Sequence, residues 1–78
     1  MRHFKYTKDE AEEAIDQIVH DERHRAILRR RYHDKALLEP LAEEFGIEPR
    51  TVSDIIAKYR VDLENFIKWR RNHQESFY

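Results

Sequence analysis

Hydrophobic residues recur every three to four positions along most of this chain, which is the spacing of one face of an α-helix. The pattern predicts four helices, over residues 7–20, 21–33, 38–45 and 49–72. The fourth is long, because no glycine or proline interrupts its apolar face. Residues 1–6 are expected to form an N-terminal arm and residues 73–78 a tail. The chain is therefore predicted to be a single all-α domain.

Two of the predicted helices begin with capping signals. Thr7 and Glu10 have the spacing of a capping box, in which a hydroxyl and a carboxylate each accept a hydrogen bond from a backbone amide. Asp21 is expected to cap the second helix, and one bent helix across residues 20–21 is the alternative. Pro49 falls in a first turn, where proline is tolerated because its missing N–H would have no partner within the helix.

Composition narrows the class of protein. The chain has 78 residues, one glycine and no cysteine, so disulfide bonds and thiolate zinc sites are excluded. No apolar run approaches the ~18 residues that a membrane-spanning helix needs. The first ten residues lack the apolar stretch of a signal peptide. We therefore expect a cytoplasmic protein with no membrane partner.

Charge is distributed unevenly along the chain. The formal net charge is −1, which does not favour nucleic-acid binding, since phosphates attract a basic surface. Residues 1–22, however, carry 3 basic and 7 acidic side chains, whereas residues 23–36 carry 6 and 1. Residues 49–72 carry 6 basic and 3 acidic side chains. Positive charge is thus concentrated in two blocks, and the local field can matter more for binding than the sum.

The segment 37–59 has the pattern of a helix-turn-helix. Ala42 is a small residue where two helices must approach closely, and Gly46 lies where the turn needs a left-handed backbone, which is costly for a residue with a Cβ. Ile47 follows as an apolar plug, and Pro49 opens the second helix. The side chains expected to face the major groove of DNA are Arg50, Thr51, Ser53 and Asp54.

These residues match a known pattern that begins upstream of the turn. It consists of Leu-x-x-Arg-aromatic at a helix end, a Leu-Glu-Glu-Ile-Ala-like helix, a Phe/Leu-Gly-Ile/Val turn and a helix with Val/Ile-x-x-Ile. The matching residues are Leu28, Arg31, Tyr32, Leu38, Glu39, Leu41, Ala42, Phe45, Gly46, Ile47, Val52 and Ile55. In these features the chain resembles the fourth region of bacterial sigma factors, and it is similar to small phage and plasmid regulators with sigma-like helix-turn-helix domains.

The resemblance implies a four-helix DNA-binding bundle that acts in transcription regulation on double-stranded DNA. It implies base-reading roles for Arg50, Thr51, Ser53 and Asp54 and a backbone-contacting role for Arg31. An arginine at position 50 can donate two hydrogen bonds to guanine, worth ~1–3 kcal/mol of discrimination. Glu48 departs from the family, which usually has Ser or Thr there, and an ionised Glu48 beside a phosphate would be repelled.

Further basic residues are predicted to contact DNA phosphates, which position a protein without reading sequence. These residues are Arg29, Arg30, Arg31, Lys35, Lys58 and Arg60. For the consecutive arginines, a solvated charged face is the alternative of equal weight.

Two residues of the last helix indicate a partner surface. Val61 lies on the face opposite the apolar stripe and Trp69 at its edge, and aromatic anchors are typical of protein interfaces. We expect a homodimer. The alternative function is a protein-interaction module that keeps the fold and binds RNA polymerase, a sigma factor or another regulator. The net charge and the acidic first helix favour that alternative.

Catalytic and metal sites are not predicted. The chain shows no nucleophile-and-base pair, glycine-rich phosphate loop or carboxylate dyad, so we expect neither an enzyme nor a cofactor. His20 and His24 have the i, i+4 spacing of zinc ligands on one helix, but a predicted helix boundary separates them. In the N-terminal arm, Phe4 and Tyr6 are expected to pack on the core; the alternative is a flexible arm that reaches into a minor groove.

Overall fold

The computed structural model describes residues 4–75 of the chain. Over this range it contains four α-helices and no strand, so the predicted all-α class is confirmed. The helices are α1 (Lys8–Ile18), α2 (Glu22–Tyr32), α3 (Leu38–Phe45) and α4 (Pro49–Glu75). No helix in this part of the chain is long and apolar enough to cross a membrane.

The observed helix ends lie within three residues of the predicted ranges. α1 ends at Ile18 and α2 begins at Glu22, so the chain forms two helices here rather than one bent helix. α4 continues to Glu75, past the predicted end at residue 72, because no glycine or proline follows to stop it. The predicted tail therefore begins inside α4. Residues 1–3 and 76–78 lie outside the described residues.

Side-chain caps fix the starts of the first two helices. The Thr7 Oγ1 accepts a hydrogen bond from the Glu10 N–H at 3.1 Å, and the Glu10 Oε1 accepts one from the Thr7 N–H at 2.9 Å. The Asp21 Oδ1 accepts from the His24 N–H at 3.0 Å. Each of these caps satisfies amides that the helix itself leaves unpaired and is worth about 1 kcal/mol.

Two hydrophobic clusters form the interior. The first cluster contains Ala14, Ile15, Val19, Leu28, Leu63 and Ile67, from α1 and the residue that follows it, α2 and the second half of α4. The second contains Ile27, Leu41, Ala42 and Val52, from α2, α3 and the first turn of α4. The neighbouring residues Ile27 and Leu28 contribute one side chain to each, and Ile56 packs against both. α2 and α4 therefore join the two clusters into one body.

The described part of the N-terminal arm packs on this body. Phe4 and Tyr6 contact the first cluster, as the core-packing interpretation expected. Arg71 of α4 binds this segment, because its Nη2 donates to the Lys5 carbonyl at 2.8 Å. The Nε and Nη2 of Arg71 also each donate to the Glu10 carboxylate at 2.7 Å. A reach into a minor groove by residues 1–3 concerns positions outside the described residues.

Candidate nucleic-acid interface

A tight turn joins α3 to α4. Gly46 has φ 65° and ψ 35°, the left-handed conformation. The Gly46 N–H donates to the Glu43 carbonyl at 3.3 Å, and the Ile47 N–H donates to the Ala42 carbonyl at 3.0 Å. This is the Schellman arrangement, which pairs carbonyls at the end of a helix. A Cβ built on Gly46 would meet no atom within 4 Å, so the backbone conformation, and not a lack of space, favours glycine.

The start of α4 presents a polar face to solvent. Val52 is fully buried in the second cluster, which fixes the rotation of the helix about its axis. Arg50, Thr51, Ser53 and Asp54 consequently lie on the outer side, and all four are exposed. Within residues 4–75 none of these side chains has a hydrogen-bond or ion-pair partner. The structure thus brings the four predicted base-reading residues together on one accessible surface, which we call the α4 face.

Two contacts with α2 hold this face in position. The His24 Nδ1 lies 2.8 Å from the Tyr59 hydroxyl, which links α2 to α4. The Arg23 Nη2 donates to the Phe45 carbonyl at 2.8 Å, at the C-terminal end of α3, where a positive charge complements the helix dipole. His24 is half-buried, whereas His20 lies in the α1–α2 connection. Among the described residues there is no cluster of three metal-ligating side chains.

The three consecutive arginines of α2 are each bound within the protein. The Arg29 Nη2 donates to Asp16 of α1 at 2.8 Å. Arg30 contacts Glu44 of α3 at 2.9 Å and Asp34 at 2.8 Å, and its hydrogen bond to Glu44 is the main cause of a raised pKa. The Arg31 Nη1 donates to the Ala36 carbonyl at 2.9 Å. A phosphate contact by Arg29 or Arg30 would therefore compete with a carboxylate.

The remaining basic residues differ in their surroundings. Lys35 has a positive φ of 62°, and its Nζ lies 4.8 Å from the Tyr6 ring centroid. The Lys58 Nζ lies 5.3 Å from the Tyr59 ring centroid. Lys58 follows Asp54 by four residues and so lies on the same side of α4 as the α4 face. Arg60 is exposed and, within residues 4–75, has no ion-pair partner.

The predicted partner-surface residues are exposed. Val61 is 57% exposed and Trp69 is 52% exposed. Trp69 stacks with Phe66 and with His73, with ring centroids 6.0 and 4.0 Å away. Leu37, which precedes α3, is 69% exposed and was not predicted as a surface residue of interest.

Comparison with known proteins identifies no relative of this chain. The chain matches no family model, no curated protein and no solved structure. Its functional interpretation therefore depends on its own residues and geometry.

The carboxylates that bind the basic residues were not predicted from the sequence. Asp16 is 13 residues from Arg29, and Glu44 is 14 residues from Arg30, so no local spacing identifies either pair. Helical i, i+4 spacing does indicate the Arg30–Asp34 pair.

Proposed function

We propose that this protein is a sequence-specific double-stranded DNA-binding regulator of transcription that uses α3, the Gly46 turn and α4 as a helix-turn-helix. The α4 face enters the major groove in this proposal, with Arg50, Thr51, Ser53 and Asp54 at the base edges. The chain acts as a homodimer, since twofold pairing onto a repeated half-site would add base contacts that one copy lacks.

One observation carries the proposal: the α4 face is polar, exposed and unpaired within residues 4–75, at the start of a helix whose inward residue Val52 is fully buried. In a helix-turn-helix, the N-terminal residues of the second helix are the ones that meet base edges. An exposed Arg50 without an internal partner retains all its guanidinium donors for guanine. The left-handed Gly46 and the Arg23 contact support the same geometry, because they fix the angle at which α4 leaves α3.

Selection from random duplex DNA tests the proposal, followed by affinity measurements on the selected operator. Arg50→Ala is expected to weaken operator binding by about tenfold or more, since a bidentate arginine–guanine contact is worth ~1–3 kcal/mol. Arg50→Lys is the matched control because it keeps the charge and loses the planar fork. It should retain binding to unrelated duplexes and reduce the preference for the operator.

Two results would contradict the proposal. One is a selection that yields no enriched sequence at near-physiological salt. The other is an Arg50→Ala variant that binds its operator as the parent does while circular dichroism shows the same helical content.

The exposed apolar residues favour a second candidate function, a protein-interaction module with the same fold. Trp69, Val61 and Leu37 are each more than half exposed, and tryptophan is enriched at interface hot spots. RNA polymerase, a sigma factor or another regulator would be the partner. Salt titration separates the two candidates, because binding through several phosphates weakens steeply as salt rises, whereas an apolar protein contact does not.

A further inference from the structure

A cavity of about 380 Å³ lies between the N-terminal segment, α1, α2 and α4. Its apolar walls include Phe4, Tyr6, Ala11, Ile15, Leu63 and Ile67. Sites for small molecules typically measure ~300–1,000 Å³ and combine apolar walls with a few polar groups, so this cavity has the size of a small-molecule site. None of its lining residues belongs to α3 or to the α4 face.

Besides Tyr6, four residues with polar side chains line the same cavity: Arg31, Tyr32, Arg60 and Glu64. Arg60 is the exposed member, whereas the other three are half-buried. Two guanidinium groups and one carboxylate give this lining a net charge of +1.

Nearby cations add to the positive potential. The Lys68 Nζ lies 5.5 Å from the Phe4 ring centroid, and the Arg71 guanidinium carbon lies 5.4 Å from it. Lys35 lies over the Tyr6 ring. The Arg71 charge is balanced by Glu10, but neither lysine has an ion-pair partner within residues 4–75. Both lysines, like Arg60, therefore provide positive charge near the cavity that no carboxylate of the described residues balances by an ion pair.

Three hydrogen-bond donors of the lining lack partners within the described part of the chain: the Arg60 guanidinium and the hydroxyls of Tyr6 and Tyr32. Arg31, by contrast, is held by the Ala36 carbonyl. Burial is the main cause of the raised pKa of Tyr32, so its hydroxyl stays neutral at physiological pH and can donate one hydrogen bond. A carboxylate, which only accepts hydrogen bonds, complements these donors.

We propose that this cavity binds a small organic monoanion with a hydrophobic body and one carboxylate. The body lies against the apolar walls, and the carboxylate lies beside Arg60, where it accepts from the guanidinium and from the Tyr32 hydroxyl. Because Phe4 and Tyr6 form part of the wall, the bound anion would also hold the N-terminal segment on α1 and α4. The proposal does not depend on DNA binding.

Binding of 1-naphthoate tests the proposal, with neutral 1-naphthamide as the matched ligand. Naphthoate is expected to raise the Tm of the full chain as the naphthoate concentration rises. Naphthamide is expected to bind about tenfold more weakly, because a hydrogen bond to a charged group is worth more than a neutral one. Arg60→Gln should weaken naphthoate binding by about tenfold and leave naphthamide binding unchanged. Lys58→Gln, which removes an exposed cation outside the cavity, should change neither.

The location of the ligand is tested separately. Ala11→Leu fills part of the cavity and should remove the binding of both ligands. If this variant does not fold, NMR shift changes in the parent decide, and they should concentrate on Phe4, Tyr6 and Leu63. The proposal is overturned if naphthoate does not bind up to its solubility limit, if the two ligands bind equally, if Lys58→Gln has the effect of Arg60→Gln, or if the shift changes lie elsewhere.

Discussion

Because Gly46 has a left-handed backbone, we expect the loss of stability on its replacement to depend on the shape of the new side chain. Gly46→Val should destabilise the protein by about 2 kcal/mol, because a β-branched residue is strained in the left-handed region. A Cβ at this position would meet no atom within 4 Å, so the loss is attributed to the backbone conformation and not to a clash of the Cβ. Urea unfolding followed by circular dichroism measures the difference.

Gly46→Asn is the control, since asparagine tolerates the left-handed region better than other residues with a Cβ. It should cost less than half as much as the valine variant. Equal losses for the two variants would show that the conformation at this position is not the cause.

A second residue-scale prediction concerns the acid sensitivity of Glu10. Its hydrogen bonds with Arg71 are the main reason that its pKa is lowered from 4.5 to about 2. A lowered pKa in the folded state means that ionised Glu10 stabilises the protein above about pH 4.5, and that this contribution is lost as the pH falls towards 2. The Glu10–Arg71 pair is partly exposed, so we expect it to contribute about 1 kcal/mol to the free energy of unfolding, which is less than the full pKa shift would imply.

Glu10→Gln tests this, because the glutamine Oε1 can still accept the capping hydrogen bond from the Thr7 N–H, whereas the charge and one of the two acceptors for Arg71 are removed. The variant should be less stable than the parent at pH 7, and the difference should shrink between pH 4.5 and pH 2. A difference that does not change with pH would contradict the role of the Arg71 pair.

At the scale of the elements, Arg29 and Arg30 at the end of α2 are held by acidic residues of α1 and α3. Glu44→Gln should weaken the attachment of Arg30 to α3 and leave Asp34 as its remaining carboxylate partner, so that Arg30 can contact a phosphate more easily. Under the proposed function, the affinity for duplex DNA should rise and the slope of log K against log salt should steepen by about 1, the value for one added phosphate contact.

Glu43→Gln is a matched control, since Glu43 is the exposed neighbour of Glu44 and has no side-chain partner within residues 4–75. It makes the same change in net charge without releasing an arginine. The same increase in slope for both variants would show that overall charge, and not Arg30, is responsible.

The elements also show which features a sequence can predict. The apolar stripes, the Thr7 and Asp21 caps and the left-handed Gly46 depend on residues within a few positions of each other, and all of these were predicted. Arg71 contacts Glu10 across 61 residues, and the cavity needs side chains from four separate segments. Such features depend on how the helices pack, which local spacing does not specify. The roles of the α4 face and of the basic residues toward DNA stay predictions.

At the scale of the whole molecule, the exposed aromatic end of α4 bears on assembly. Trp69→Ser should shift a homodimer towards monomer, because it removes a large apolar side chain that is half exposed in the single chain. Sedimentation velocity over a range of concentrations measures the shift. Leu37→Ser is the control, as Leu37 is even more exposed but lies before α3. A parent that stays monomeric, or equal effects of the two variants, would contradict assembly through α4.

α4 runs from the proposed DNA-facing turn, past the cavity, to the aromatic end without an internal glycine or proline. Its 27 residues make a rod of ~40 Å, and a rod without a hinge tilts as a unit. A tilt of α4 imposed at Trp69 or beside Leu63 would therefore also displace Arg50 in the first turn of the helix. A ligand or a partner that binds along α4 can therefore influence the position of the side chains at its N-terminal end.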